Sequence, residues 1–159
     1  MANDRVILLV EDDPDDALLI QRAFQKAGFH NTLNVVPDGR QAVAYLSGVG
    51  VFANREKFPL PFLILLDLRM AGLDGFDVLR WIRADPGLNR LLVVVLTSSN
   101  LQADVDRAYE LGANSYLVKP LEFDEMTHLL QRFEIYWTEI NRTPSAPVSE
   151  SIRSETSAR

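Results

Sequence analysis

Residues 62–67 read FLILLD, an unbroken apolar run that ends in a carboxylate. Apolar residues without polar alternation are typical of a strand buried on both faces, as in a parallel sheet covered by helices. Residues 91–96, LLVVVL, have the same character. The shorter runs at residues 6–10, 32–36 and 115–118 complete a set of five predicted strands.

Amphipathic stretches alternate with these strands and predict five helices, at residues 14–27, 39–46, 75–83, 101–111 and 120–140. Aspartates stand at the predicted N-caps of the first three helices, and glycines follow the ends of the first, second and fourth. Pro120 opens the last predicted helix. Five βα units predict an α/β fold, a doubly wound (βα)5 flavodoxin-like sandwich with parallel strand order 2-1-3-4-5.

Two segments depart from this alternation. Residues 49–61 form a connection before the third strand that is longer than is usual in such folds. Residues 142–159 contain few apolar residues, several Ser and Thr, and two prolines. We therefore predict one domain over residues 1–141 and a flexible polar tail over residues 142–159.

Composition excludes several classes of protein. The net charge of −6 argues against nucleic acid or an anionic membrane as the main partner. The chain has no cysteine and two histidines far apart, so neither a disulfide framework nor a zinc site is expected. No run approaches the roughly 18 apolar residues of a membrane span. The N-terminus lacks the apolar length of a signal peptide, and we expect a cytoplasmic protein.

Polar residues follow four of the five predicted strands. Ligands of open α/β sheets bind at the carboxyl ends of the strands, which all lie at one edge of a parallel sheet. The residues in these positions are Glu11 and Asp12 after the first strand, Asp67 after the third, Thr97 and Ser98 after the fourth, and Lys119 after the fifth.

Carboxylates that converge from two strands repel each other and raise each other's pKa, and a hard divalent cation removes that repulsion. Mg²⁺ prefers a few carboxylates together with water and phosphate oxygens. Lys119 and Thr97 add a cation and a hydroxyl donor for further phosphate oxygens. The set predicts phosphoryl transfer to a carboxylate, with Asp67 as the nucleophile.

Each of these residues also has an ordinary structural interpretation. Asp67 could be a turn residue, Thr97 a strand-end hydroxyl and Lys119 a surface charge beside a turn proline. Taken one at a time, the structural interpretation is the more frequent one. Complementary groups at four strand ends of one edge favour the functional interpretation.

Four segments together resemble the bacterial two-component receiver domain: VEDDPDD at residues 10–16, LLDLRMAGLDGFDVL at 65–79, VVVLTSS at 93–99 and NSYLVKP at 114–120. The resemblance covers about residues 5–140 in order and spacing, and it implies that the predicted domain is a receiver domain. It implies a phosphorylation switch that binds Mg²⁺. Within the metal site, it implies that Asp12 and Asp67 bind the ion directly, Glu11 binds it through water, and Arg69 contributes its backbone carbonyl.

The resemblance also assigns the phosphate contacts and a switch. Asp67 is the implied phosphoacceptor. Thr97, the amide of Ser98 and Lys119 are implied to hold phosphate oxygens. Tyr116 stands at the aromatic switch position and is implied to rotate inward as Thr97 moves toward the phosphate. The peptide bond between Lys119 and the following proline is implied to be cis.

The function implied is that of a single-domain response regulator in a phosphorelay. A sensor histidine kinase passes a phosphoryl group from phosphohistidine to Asp67, and the face made by helix 4, strand 5 and helix 5 then binds a downstream protein target or a phosphotransfer protein. The long connection before the third strand, together with residues 85–99 and 133–140, is similar to the stand-alone regulators paired with phytochrome-type histidine kinases. A receiver catalyses its own phosphorylation and dephosphorylation, but its product is a conformation, so its status as an enzyme stays open.

Phe123, Ile135 and Tyr136 widen the apolar arc of the last predicted helix beyond the single stripe that a core contact needs. The extra apolar surface predicts a partner or homodimer face.

Three other functions share features with this sequence. A degenerate receiver would act as a phosphorylation-independent protein-binding scaffold, but the acidic, Thr and Lys set is complete. A Mg²⁺-dependent phosphatase with an aspartyl nucleophile would need D-x-D at the first strand and a cap domain, whereas the first strand ends in EDD. A nucleotide-binding protein would need a glycine-rich phosphate loop, and neither G-x-G-x-x-G nor G-x-x-x-x-G-K occurs.

Overall fold

The computed structural model describes residues 5–145, in which five parallel strands form one sheet of order β2-β1-β3-β4-β5. The strands are β1 (Val6–Val10), β2 (Thr32–Val36), β3 (Leu63–Leu66), β4 (Leu92–Thr97) and β5 (Ser115–Val118). The helices are α1 (Pro14–Lys26), α2 (Gly39–Ser47), α3 (Gly75–Ala84), α4 (Gln102–Glu110) and α5 (Phe123–Glu134). The predicted (βα)5 flavodoxin-like fold and its strand order 2-1-3-4-5 are confirmed.

The helices cover both faces of the sheet, as the apolar strands predict. Side chains of a strand alternate between the two faces. Leu8 and Val10 of β1 pack in a cluster with residues of α2, α3 and α4. Ile7 and Leu9, on the opposite face, pack with residues of α1 and α5. All four side chains are at most 1% exposed, so β1 lies at the centre of the core. Packing on both faces therefore restrains its carboxyl end.

The N-caps follow the sequence prediction. The Asp13 side chain accepts hydrogen bonds from the backbone N–H groups of Asp15 and Asp16, and Pro14 occupies the first turn of α1. The Asp74 side chain accepts from the N–H of Asp77, whose own side chain accepts from the N–H of Asp74, so α3 begins with a capping box. These caps satisfy N–H groups that a helix start leaves without partners.

The predicted start of the last helix is wrong. The helix begins at Phe123 rather than Pro120, because the N–H of Lys119 still donates to the Thr97 carbonyl at 2.8 Å and the chain needs further residues to turn away from the sheet. It continues to Ile140 as predicted, but Ile135–Ile140 is π-helical. There the carbonyl of Glu134 accepts from the Thr138 hydroxyl at 2.6 Å, and such side-chain bonds compete with regular helix pairing.

The long connection before β3 is ordered, and it contains a 3-10 turn at Gly50–Phe52. The guanidinium of Arg55 donates to the carbonyls of Tyr45 and Leu46 at 2.7 and 2.8 Å, which closes the C-terminal end of α2. Gly48 ends that helix at φ +67, and a Cβ there would lie within 2.9 Å of the Arg55 guanidinium. The connection is therefore fixed to α2 by hydrogen bonds.

The predicted tail, residues 142–159, lies mostly outside the described residues. Of its first residues, Thr143 accepts a hydrogen bond from Arg5 at 3.2 Å. The division at residue 141 stays a prediction. None of the described helices has the length and apolar character that a bilayer span requires.

Arg83 connects the end of α3 to the sheet. Its guanidinium donates to the carbonyls of Gly112 and Leu91 at 2.9 and 2.7 Å, and to the side-chain carbonyl of Asn114 at 2.8 Å. Asn114 in turn accepts from the N–H of Val93 at 2.8 Å. One side chain therefore joins α3 to the starts of β4 and β5.

We expect Arg83→Met to lower the free energy of unfolding by about 2 kcal/mol, because it leaves partly buried carbonyls without donors. Urea denaturation measures the change. Arg90→Met, at an exposed arginine, is the control for loss of charge. A loss for Arg83→Met no larger than that of the control would contradict the connecting role.

Candidate functional site

Pairing between neighbouring strands brings the predicted site residues to one edge. The N–H of Asp67 donates to the Val10 carbonyl at 3.1 Å, and that of Glu11 donates to the Val36 carbonyl at 3.2 Å. Both residues therefore continue the parallel ladder past the ends of β1 and β3. Their side chains are held on backbone that is already paired, which restricts their positions.

Gly75, the first residue of α3, lies against the backbone of Asp67. A Cβ at this position would be 2.1 Å from the Asp67 carbonyl oxygen and 2.7 Å from the Leu68 Cα. The contact is with backbone, which cannot move aside cheaply. A glycine is required here for steric reasons, and it lets α3 start directly beside the predicted acceptor.

Three of the four predicted metal ligands come together. One carboxylate oxygen each of Glu11, Asp12 and Asp67 lies within 4.8 Å of the others. Glu11 and Asp67 are buried, whereas Asp12 is exposed. The N–H of Arg69 donates to Asp67 Oδ1 at 3.4 Å, which places its backbone beside the carboxylate. The role of the Arg69 carbonyl stays a prediction.

Lys119 provides the only positive charge that directly contacts these carboxylates among the described residues. Its Nζ lies 2.6 Å from Glu11 Oε2 and 3.1 Å from Asp67 Oδ2. It also lies 3.0 Å from Asp16 Oδ2, a contact that the sequence analysis did not predict. The Lys119 side chain is 6% exposed, so the ammonium is almost fully removed from water.

Burial and neighbouring charges shift the pKa values at this edge. Burial raises the pKa of Glu11 to about 7, with a further increase from the Asp67 charge, although the hydrogen bond from Lys119 lowers it. Burial alone would lower the pKa of Lys119, but Glu11 and Asp67 outweigh it and hold the pKa above its ordinary value. Lys119 therefore stays charged at neutral pH.

The donor set fits a divalent cation. Glu11, Asp12 and Asp67 offer carboxylate oxygens, the ligands that hard cations prefer. Lys119 alone cannot balance three carboxylates, two of which are buried. A divalent ion held by these three residues would remove the excess negative charge.

Thr97, the last residue of β4, is 1% exposed. Its Oγ1 has no hydrogen-bond partner within residues 5–145. Buried hydroxyls without a partner are uncommon and call for an explanation. Thr97 pairs with the backbone of Lys119, so the hydroxyl lies at the same edge as the ammonium, and it is available to donate to a phosphate oxygen. Ser98, the other predicted phosphate contact, is exposed and lines a cleft together with Asp16 and Lys119.

Tyr116 holds the loop that follows β4. Its hydroxyl donates to the Ser99 carbonyl at 2.9 Å. On the other side of the loop, Ser99 Oγ donates to Asp104 Oδ2 at 2.5 Å, and the Arg69 guanidinium forms an ion pair with the same carboxylate. Hydrogen bonding from Ser99, and then from Arg69, holds the pKa of Asp104 below its usual range. The loop is thus joined to β5, to α4 and to the segment after the acceptor.

Sequence reasoning missed Asp16 and Asp104. Both lie in the first turn of a helix, where an acidic residue is already explained by the helix dipole. Neither follows a strand directly, so the strand-end rule does not select them.

The implied cis bond between Lys119 and Pro120 is wrong, because no peptide bond in the described part of the chain is cis. Trans is the intrinsically preferred form before proline.

Residues 7–131 match the family described as response regulator receiver domain. The chain belongs to this family. It is 40% identical over 139 residues to the probable methanogenesis regulatory protein FilR2 of Methanothrix harundinacea, covering 87% of each chain. It is 39% identical over 142 residues to the response regulator Rcp1 of Synechocystis, covering 89% of this chain and 95% of Rcp1.

Solved structures show the same fold at similar length. The phosphorylated cyanobacterial phytochrome response regulator RcpA superposes with a TM-score of 0.81 at 36% identity, over 89% of this chain and 99% of RcpA. The Mn²⁺-bound form of Rcp1 superposes with a TM-score of 0.78 at 38% identity, over 89% and 99%. Family membership implies a histidine kinase as partner, and the manganese-bound relative agrees with a divalent-metal site in this receiver.

We expect a divalent cation to stabilise this receiver. At ten times its Kd, the cation should add about 1.4 kcal/mol to the free energy of unfolding, by binding the folded state only. Thermal or urea unfolding across Mg²⁺ and Mn²⁺ titrations measures the gain. Asp67→Asn should shrink it, and Asp15→Asn, at an exposed aspartate on α1, should leave it unchanged. A melting temperature that is constant across both titrations would argue against the metal site.

Proposed function

We propose that this receiver accepts a phosphoryl group on Asp67 from the phosphohistidine of a sensor histidine kinase, with Mg²⁺ bound by Glu11, Asp12 and Asp67 and by the Arg69 carbonyl. The observation that carries the proposal is the buried Lys119 ammonium, which contacts Asp67 beside the cluster of three carboxylates. Aspartyl nucleophiles in phosphoryl transfer need such a cation, because charge on the moving group must be stabilised.

The transfer step uses groups that the fold already positions. A carboxylate oxygen of Asp67 attacks phosphorus, a P–O bond forms, and the P–N bond to the imidazole breaks, so its electron pair stays on the leaving nitrogen. Lys119, the Thr97 hydroxyl and the Ser98 amide donate to the phosphate oxygens. Bound Mg²⁺ supplies charge neutralisation at this site. Desolvation of Lys119 strengthens its contact with the phosphoryl group, because burial lowers the effective dielectric.

The loop after β4 would change conformation in response to phosphorylation. Thr97 begins this loop, and Tyr116 holds it through the Ser99 carbonyl. As the Thr97 hydroxyl moves toward the phosphate, the loop follows and shifts the Ser99 carbonyl that the Tyr116 hydroxyl contacts. Tyr116, which is half-buried against the core in this structure, changes position with it, and the face made by α4, β5 and α5 changes shape. We propose that this face binds a downstream protein target or a phosphotransfer protein.

The similarity to RcpA, a cyanobacterial phytochrome response regulator, favours a phytochrome-type histidine kinase as the donor. Such a partner would place the chain in the cytoplasm. The second candidate function is a phosphorylation-independent scaffold. A scaffold would not explain why the buried Thr97 hydroxyl has no hydrogen-bond partner within residues 5–145, whereas a phosphate oxygen would supply one. This observation favours the switch.

The expected result with acetyl phosphate is a Mg²⁺-dependent gain of one phosphoryl group, because a small donor needs only the acceptor and its charge-stabilising groups. Intact-mass measurement detects the gain. Asp67→Asn should abolish it, and Asp106→Asn, at an exposed aspartate on α4, should not. Absence of the gain in the wild type would favour the scaffold.

We also propose that the apolar end of the last helical segment within residues 5–145 is a homodimer face. Ile135, Tyr136 and Ile140 are 45%, 49% and 65% exposed on the π-helical segment that follows α5. They continue the apolar arc of α5 into solvent, and contiguous exposed apolar surface is typical of an interface.

Sedimentation velocity should show a dimer for the wild type, and a shift toward monomer of at least about tenfold in Kd for Ile140→Lys, since burying an unpaired charge costs well over 1.4 kcal/mol. Leu18→Lys, at an exposed apolar residue on α1, is the control. A wild type that is monomeric both with and without phosphorylation would contradict the proposal.

A further inference from the structure

Asp16 contacts the predicted phosphate-binding lysine although it lies outside the carboxylate cluster. Its Oδ2 is 3.0 Å from Lys119 Nζ, and it is not among the three residues whose oxygens converge for a metal. In the proposed function, Glu11 and Asp67 would have the metal and the phosphoryl group as further partners. Asp16 has neither, so its contact with Lys119 needs a separate explanation.

The Lys119 ammonium has three N–H donors and three carboxylate partners. It donates hydrogen bonds to Asp16 and Asp67 and forms an ion pair with Glu11, so all three carboxylates hold the ammonium in place. A phosphoryl group on Asp67 brings about two negative charges to this point. To donate to a phosphate oxygen, the ammonium must therefore release or share a contact that it already makes.

We propose, on the basis of the phosphotransfer function above, that Asp16 is a positioning residue that holds Lys119 in its unphosphorylated arrangement and competes with the phosphoryl group for it. If the contact breaks on phosphorylation, its loss counts against the phosphorylated state. If it persists, the carboxylate stands beside a dianionic group and repels it. In both cases, Asp16 shifts the equilibrium between the two forms toward the unphosphorylated form.

The exposure of Asp16 limits the size of the effect. Its side chain is 42% exposed, whereas that of Lys119 is 6% exposed. Solvent therefore screens the carboxylate, and the pair belongs with partly exposed ion pairs of modest strength. A weak contact suits a reversible switch, because a strong one would prevent phosphorylation.

The pair also lies at the surface of the molecule. Asp16 and Lys119 line one cleft with Ser98, Pro120 and apolar side chains of α1 and α5. Because Asp16 is the more exposed partner, its replacement can be tested by an affinity measured at equilibrium.

The experiment measures the affinity of beryllofluoride, a phosphoryl analogue, at saturating Mg²⁺ by ¹⁹F NMR titration. Asp16→Asn should bind it about two- to fivefold more tightly than the wild type, the gain expected on removing one screened ion-pair partner. Asp15→Asn is the matched control. It removes the same charge from the preceding residue, whose side chain forms no ion pair among the described residues. Thermal unfolding of both variants accompanies the titration.

A second readout tests whether the effect passes through Lys119. The ¹H and ¹⁵N signals of the buried Lys119 ammonium should shift in Asp16→Asn and stay in place in Asp15→Asn. Equal affinities for the two variants, weaker binding by Asp16→Asn, or an affinity gain with an unmoved ammonium signal would each overturn the inference. A wild type that binds no beryllofluoride would instead refute the proposed function itself.

Discussion

The contact between the Lys119 ammonium and the carboxylates of Glu11 and Asp67 is the interaction on which the site depends. Two carboxylates that are at most 5% exposed lie on neighbouring strands, and strand pairing leaves them no freedom to separate. Such charges are tolerated only when they are paired. Lys119 supplies that pairing from the far side of β4, so the charge balance of the site joins β1, β3 and β5.

This arrangement places the proposed chemistry and the proposed switch side by side. Asp67, Lys119 and Thr97 lie on backbone that is paired within the sheet. Tyr116, Ser99 and Asp104 lie on the loop after β4 and on the neighbouring β5 and α4, and hydrogen bonds join them. The proposed change of charge at Asp67 would therefore act on a loop that begins at Thr97.

Much of the fold could be predicted from the sequence, because its signals are local. The runs around Leu65 and Val94 are apolar on both faces, and capping aspartates and terminal glycines mark the helix boundaries. The strand-end rule likewise selects Glu11, Asp67 and Thr97. Contacts between residues that are far apart in the sequence could not be predicted. Asp16 faces Lys119 only because α1 packs beside the end of β5, and no pattern in the chain records a contact between residues 103 positions apart.

The close packing of Gly75 against the Asp67 carbonyl has a consequence for how this segment can vary. The segment from the acceptor to the start of α3 must span a set path and arrive with a residue that has no side chain. An insertion or deletion in residues 68–74 would bring a different residue to the contact, and every other residue type there carries a Cβ. The backbone contact at Gly75 therefore constrains the length of this segment, apart from any demand on its composition.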